Sequence, residues 1–188
     1  MVEPPRMSDE RRAALLAAAA EVFARYGYRK ASMDDVARAA GLSRQGLYLH
    51  YPTKEQLFRE GLRHLIDTLL AGASAALDDP QRGPQARLVA AFDAMHGSLI
   101  DGMDRARMAE LIEASTRLVG DLVREQEQTF HARLVAAIER DRVAAGVGTA
   151  EEVAETLDAV SHGIKRRVAS RAEYVARMQT AVRLLCRA

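Results

Sequence analysis

Start and stop signals for α-helices recur along the whole chain, whereas signals for β-strands are almost absent. Ser or Thr residues stand where helices would begin, several of them followed within three positions by an acidic residue, and glycines stand where helices would end. Alanine, the residue with the highest helix propensity, is abundant throughout. The sequence therefore predicts an all-α fold of about nine helices.

The spacing of these signals predicts two domains of unequal size. The chain has 188 residues, enough for a small domain joined to a larger one. We expect a disordered tail over residues 1–7, three short helices over residues 8–53 and a larger helical domain over residues 54–188. Three short helices are too small to bury a core alone, so they need the fourth helix beneath them. A break at Gly120 and one long helix over residues 121–145 are also expected.

Two short helices joined by a glycine turn form the sharpest pattern in the chain. Ser32 can cap the first of them, Gly41 can end it, and Ser43 can cap the second. Such a pair is typical of a helix-turn-helix, whose second helix enters the major groove of DNA. The sequence therefore predicts a helix-turn-helix DNA-binding domain within residues 8–53.

The residues at the start of the second helix are candidates for contact with DNA bases. Arg44 can bind guanine with two hydrogen bonds, and Gln45 can do the same with adenine. Gly46 removes a side chain where the helix would press against the groove, and nearby hydroxyl and ammonium groups can bind phosphates. The predicted DNA-binding residues are Ser32, Ser43, Arg44, Gln45, Gly46, Tyr48, Tyr51 and Lys54.

The distribution of charge supports a local DNA site. The whole chain carries a net charge of only +1, but residues 25–54 contain six basic and two acidic residues. A basic patch on a nearly neutral chain is the electrostatic pattern of a focused DNA site. Each candidate taken singly could be an ordinary cap or surface residue, so the prediction depends on their combination.

One continuous block of the chain carries a family pattern. Its features are Phe23, Gly27-Tyr28, Ser32, Asp35-Val36-Ala37, Ala40-Gly41, Leu47-Tyr48, His50 and Lys54-Glu55 before Leu57-Phe58. With these features, residues 15–58 resemble the DNA-binding domain of the tetracycline-repressor (TetR) family of bacterial transcriptional regulators, although Tyr51 stands where that family more often has phenylalanine. The resemblance implies a homodimer that binds a palindromic operator, usually as a repressor. It also implies that the second domain is helical and serves effector binding and dimerisation.

The second domain carries no sharp motif, so its candidate residues depend on residue type and spacing. Methionine and aromatic side chains adapt to varied ligands, which would suit a small, mostly apolar effector, although they could equally be plain core. The candidate pocket residues are Phe92, Met95, His96, Met103, Met108, Phe130 and His131.

Apolar residues recur at intervals of three and four on the last two predicted helices. The resemblance implies that the family pairs these helices with those of a second copy, so the stripes are candidates for the dimer interface. The alternative is that they face the core of their own chain. The residues are Val153, Leu157, Val160, Ile164, Tyr174, Met178, Val182 and Leu185.

Other functions find less support in the sequence. There is no recognisable enzyme motif, and His64, His96, His131 and His162 lack the spacing of a metal-binding motif, so neither a cofactor nor a metal is expected. The only cysteine, Cys186, excludes an internal disulfide and is a weak redox candidate. The single cysteine fits a reducing cytosol, and no apolar stretch is long enough to cross a membrane, so a cytoplasmic, nucleoid-associated protein is expected. A regulator without a small-molecule effector, and a helical enzyme with an unrecognised site, remain as alternatives.

Overall fold

The computed structural model describes residues 7–101 and 105–187, without the side chains of residues 105–109 and 112. Residues 1–6 of the predicted tail therefore lie outside the described residues. The described part forms eight α-helices and a short 3-10 helix, close to the number predicted. The helices are α1 (Asp9–Lys30), α2 (Met33–Ala39), α3 (Arg44–His50), α4 (Lys54–Leu77), α5 (Pro84–Met95), the 3-10 helix (Gly97–Leu99), α6 (Arg105–Asp141), α7 (Ala150–Lys165) and α8 (Arg171–Leu185).

Reciprocal side-chain caps begin two of these helices. At the start of α2 the Ser32 hydroxyl accepts the Asp35 N–H at 3.1 Å, and the Asp35 carboxylate accepts the Ser32 N–H at 3.1 Å. At the start of α7, Thr149 and Glu152 form the same pair of bonds at 3.2 and 2.8 Å. The caps satisfy N–H groups that have no partner within a helix, and the first of them confirms the cap predicted at Ser32.

Two glycines lie at or beside kinks within helices. Gly27 interrupts α1 with φ 77° and ψ 162°, a backbone conformation that is essentially restricted to glycine, and α1 continues beyond it to Lys30. Beside Gly120, where the sequence predicted a break, α6 has non-helical angles at Val119, with φ −145° and ψ 26°. The predicted interruption is therefore present as a kink, and α6 continues beyond it to Asp141.

The chain divides into two compact units, and the first contains the short helices. It comprises the described residues up to Asp67 together with the part of α6 that ends at Val123. Its core includes an edge-on contact between the rings of Phe23 and Phe58, whose centroids are 5.1 Å apart. The unit extends beyond the predicted boundary at residue 53 because three short helices need further helices to bury their apolar side chains.

The second unit comprises the described residues from Thr68 to Asp101 and from Arg124 onward. Its core is built from the end of α4, α5, the last part of α6, α7 and α8. Phe92 of α5 meets Phe130 of α6 edge-on, with ring centroids 5.5 Å apart. Among the described residues, no helix combines the length and the hydropathy that a membrane span requires.

Candidate nucleic-acid interface

α2 and α3 form a helix-turn-helix at the predicted place. The turn between them contains Gly41 with φ 65°, a left-handed conformation that glycine adopts without steric cost. Val36 of α2 and Leu47 of α3 are both completely buried and hold the two helices together. The direction of α3 is therefore set by apolar packing on its inner side.

The first turn of α3 presents its side chains to solvent. The Ser43 hydroxyl accepts the N–H of Gly46 at 3.0 Å and so caps the helix. Ser43, Arg44 and Gln45 are all exposed. Since Leu47 anchors the next turn in the core, the exposed first turn of α3 can offer Arg44 and Gln45 to a groove without any change in its backbone.

The guanidinium of Arg44 binds α2 in the free protein. Its Nε lies 3.2 Å from Oδ1 of Asp34, and a second guanidinium nitrogen lies 3.2 Å from Oδ2. The guanidinium carbon also lies 5.7 Å from the centroid of the exposed Tyr48 ring. Arg44 must therefore leave Asp34 before it can bind a base. The sequence analysis missed Asp34, because a separation of ten residues across a turn has no recognisable signature.

Gly46 and Ser32 each have a local structural role beside the predicted one. A Cβ on Gly46 would lie 3.1 Å from Oγ of Ser43, so glycine protects the cap of α3. The Ser32 hydroxyl, although exposed, accepts one hydrogen bond from Asp35 and donates another to it. Close approach of Gly46 to DNA and phosphate binding by Ser32 stay predictions.

The predicted phosphate ligands Tyr51 and Lys54 both bind α1. Tyr51 is only 5% exposed, and its hydroxyl accepts a hydrogen bond from Nε of Arg12 at 3.4 Å. The Lys54 ammonium donates to the carbonyl of Arg29 at 3.2 Å and lies 4.8 Å from the centre of the Tyr28 ring. Burial lowers the pKa of Lys54. Both side chains thus stabilise the first unit, and their phosphate contacts stay predictions.

The predicted basic patch is partly neutralised by acids from a distant part of the chain. The Glu110 carboxylate of α6 accepts the backbone N–H of Arg29 at 2.8 Å. The Arg29 guanidinium lies 3.6 Å from Glu113, also on α6. A count over residues 25–54 could not include these acids, since Arg29 and Glu110 are 81 positions apart.

Five of the seven predicted pocket residues lie in the second unit, where they divide into core and surface. His131 is at the surface, where its Nε2 lies 2.9 Å from Oε1 of Glu151. Met103 and the side chain of Met108 lie outside the described residues. An open groove of about 590 Å³ lies between α5 and α8, elsewhere in this unit. The buried core members are Phe92, Met95, His96 and Phe130.

A chain of buried hydrogen bonds surrounds His96. Tyr174 donates its hydroxyl to the carbonyl of Phe92 at 3.4 Å, and its oxygen lies 2.6 Å from the Ser161 hydroxyl. That hydroxyl lies 2.7 Å from Nδ1 of His96. Burial, helped by the neighbouring charge of Lys165, lowers the pKa of His96 to about 3 and keeps its ring neutral.

Five of the eight predicted dimer residues lie inside the core of their own chain. Each of the five is at most 3% exposed, and the other three are half-buried. The apolar residues spaced at intervals of three and four therefore face the core of their own chain, which was the alternative interpretation of the sequence. A dimer interface would have to use other faces of α7 and α8. The five core residues are Val153, Leu157, Tyr174, Met178 and Val182, and the half-buried ones are Val160, Ile164 and Leu185.

Comparison with known proteins addresses the helix-turn-helix and the whole fold separately. The profile of the family described as bacterial regulatory proteins, tetR family, matches residues 15–60. The transcriptional activator FasR of Mycolicibacterium smegmatis is 33% identical over 145 residues, which cover 68% of this chain and 66% of FasR. The transcriptional repressor KstR2 of Mycobacterium tuberculosis is 32% identical over 105 residues, which cover 53% of this chain and 52% of KstR2.

A solved structure matches nearly the whole chain. A transcriptional regulator from Rhodococcus sp. Rha1 superposes with a TM-score of 0.67 at 27% identity, over 95% of this chain and 96% of that one. The chain spans less than two thirds of the length of the curated relatives, with 66% for FasR and 52% for KstR2. Since the profile covers the helix-turn-helix itself and the solved regulator matches both units, the protein belongs to the TetR family of bacterial regulatory proteins, which confirms the resemblance seen in the sequence.

Proposed function

We propose that this protein is a sequence-specific DNA-binding transcriptional regulator that reads base edges with Arg44 and Gln45. The observation that carries the proposal is the geometry of α3: Leu47 is completely buried, while the first turn is exposed. A recognition helix meets base edges with its N-terminal residues. Arginine selects guanine and glutamine selects adenine in the major groove. The site of action would be the chromosome, in the cytoplasm.

Binding as a homodimer to a palindromic operator is the second part of the proposal. Two-fold symmetry of the protein would match two-fold symmetry of the DNA. Leu184 of α8 is 72% exposed, and it supports an interface on the outward side of that helix. Analytical ultracentrifugation of Leu184→Glu should show dissociation to monomers, whereas Val147→Glu, a change at another exposed apolar residue, should leave the dimer intact.

Regulation by a small, mostly apolar effector is the third part, and repression is the proposed direction. KstR2 is a repressor, but FasR is an activator, so a reporter gene assay has to decide the direction. The aromatic rings of Phe92 and Phe130 are packed against each other. An effector would therefore bind either after these side chains rearrange or in the groove between α5 and α8. The same packing favours the alternative, a regulator switched by a partner protein or by its own abundance.

Fluorescence anisotropy with DNA fragments from beside the protein's own gene tests the base-reading role. Wild-type protein should bind one fragment tightly and in a salt-sensitive manner, with random DNA as competitor. Arg44→Ala and Gln45→Ala should each reduce the discrimination between that fragment and random DNA, by about 1–3 kcal/mol. Arg63→Ala removes the same charge from the exposed surface of α4 and should leave discrimination unchanged. Equal discrimination by Arg44→Ala, Gln45→Ala and wild type would refute the assignment.

Lys54 needs a separate test because it also binds the end of α1. Loss of a phosphate contact should reduce the slope of log K against log salt by about one in Lys54→Ala, for all DNA sequences alike. An unchanged slope together with a lower melting temperature would assign Lys54 to the fold alone.

A further inference from the structure

Three potential metal ligands meet in the second unit, away from the proposed DNA-reading residues. A ring nitrogen of His96, a carboxylate oxygen of Asp158 and a ring nitrogen of His162 all lie within 4.8 Å of one another. His96 follows the last residue of α5, and the other two are four residues apart on α7. Residues four apart lie on one face of a helix, so the pair turns toward His96 together.

Hydrogen bonding can place the proton of the His96 ring on Nδ1. When the Tyr174 hydroxyl donates to the carbonyl of Phe92, 3.4 Å away, its oxygen accepts from Ser161 at 2.6 Å. The Ser161 oxygen can then accept from Nδ1–H of His96, 2.7 Å away. This direction of donation leaves the lone pair on Nε2. A partner that holds the second ring nitrogen is what orients a histidine for metal binding.

We propose that His96, Asp158 and His162 bind one divalent transition-metal ion of the zinc class, with His96 binding through Nε2. Two imidazoles and one carboxylate are ligands that suit zinc, nickel or ferrous iron, whereas calcium and magnesium take mainly oxygen ligands. The three side chains leave at least one coordination position for water or for an anionic group. A bound ion would tie the end of α5 to α7.

The three ligand atoms need to move only slightly closer together to bind one ion. Zinc binds nitrogen and oxygen at about 2.0–2.2 Å, so two ligand atoms on one ion lie at most about 4 Å apart. Asp158 and His162 already approach to 3.7 Å between Oδ2 and Nε2. Their side chains are 32% and 43% exposed, so they can rotate toward the buried His96 without disturbing the core.

The charges around the site do not exclude a cation. The Asp158 carboxylate would be a direct ligand, and Glu127 of α6 contributes a second negative charge near Lys165. Lys165 is the basic group whose charge acts on His96, so the proposed site combines two acids with one basic group.

Zinc titration of the untagged, chelator-treated full chain, in competition with a chromophoric chelator, tests the proposal. Wild-type protein should bind one Zn²⁺ per chain, and its melting temperature should rise with Zn²⁺. Asp158→Asn and His162→Gln should each weaken the binding at least about tenfold and abolish the rise. Both variants replace partly exposed side chains by similar shapes, and circular dichroism would verify that they fold.

His131→Gln is the matched control, since His131 and Glu151 form another histidine–carboxylate pair of the same unit with a separation of 2.9 Å. This variant should bind Zn²⁺ as wild type does. The proposal is overturned if wild type shows no saturable binding, if the Asp158 and His162 variants bind as tightly as wild type, or if His131→Gln loses as much affinity as they do. None of these outcomes depends on whether the protein binds DNA.

Discussion

The ion pair between Asp34 and Arg44 predicts that Asp34→Asn will bind DNA more tightly. In the free protein the guanidinium of Arg44 makes two contacts of 3.2 Å with Asp34, and base recognition requires that it leave. Asparagine keeps the shape of the side chain but removes the charge that retains Arg44. It also removes a negative charge beside a surface that would face phosphates.

The exposure of the pair sets the magnitude of the gain. The side chains of Arg44 and Asp34 are 69% and 48% exposed, and an ion pair of such exposure is worth at most about 1 kcal/mol. Affinity should therefore rise by at most about fivefold, and the gain should shrink as salt is added. Asp34 also lies in the first turn of α2, so the variant should lose some stability, about 0.3–1 kcal/mol. A tighter complex would then not reflect a more stable protein.

Anisotropy titrations at several salt concentrations would measure this effect. Asp9→Asn is the control, because it removes an acid from the first turn of another helix, α1. In an Arg44→Ala background the gain from Asp34→Asn should mostly disappear, since there is no guanidinium left to release. A gain of equal size in that background, or no gain in a folded Asp34→Asn protein, would refute the reasoning.

Three further predictions concern the fold. Gly27→Ala should lower the free energy of unfolding in urea by about 1–3 kcal/mol, because alanine cannot adopt φ 77° and ψ 162° without strain. Gly163→Ala, inside α7 with open space around the added Cβ, should not lower it. Cys186 should react slowly with Ellman's reagent until the chain is unfolded, because the thiol is buried and burial raises its pKa to about 11. Fast reaction in native buffer would contradict this and would support a redox role for Cys186. The cap of α7 should make the stability of the protein fall as the pH drops below about 4.5, because hydrogen bonds from Thr149 lower the pKa of Glu152 in the folded state alone. Thermal melts of Glu152→Gln should show a smaller dependence of the melting temperature on pH over that range. An identical pH profile would count against the cap.

Short-range chemistry explains why so much of the first unit could be predicted. A cap such as Ser32 and a left-handed glycine such as Gly41 act within a few residues, so their signals are complete in the local sequence. The same holds for part of the exposed start of α3, because a helix with Leu47 on its inner side turns Gln45, two positions earlier, outward. Fold class, helix-turn-helix and family were accordingly accessible from the sequence.

Contacts between distant segments explain the differences. Tyr51 and Lys54 have the residue types of phosphate ligands, but packing against α1 engages both within the unit. The apolar stripe of α7, with Leu157 at its centre, has the same periodicity whether it meets a second copy or its own chain. Only the tertiary structure shows that it meets its own chain.

The sequence by itself determined that the chain is helical, where most helices begin and end, and which helix carries the base-reading candidates, because caps, turns and amphipathic spacing act over a few residues. The tertiary structure alone decided that Asp34 retains Arg44 and that His96 meets Asp158 and His162. Residues at positions 96 and 158 carry no common pattern, since their meeting depends on how α5 packs against α7. Proximity of that kind is a property of the packed core.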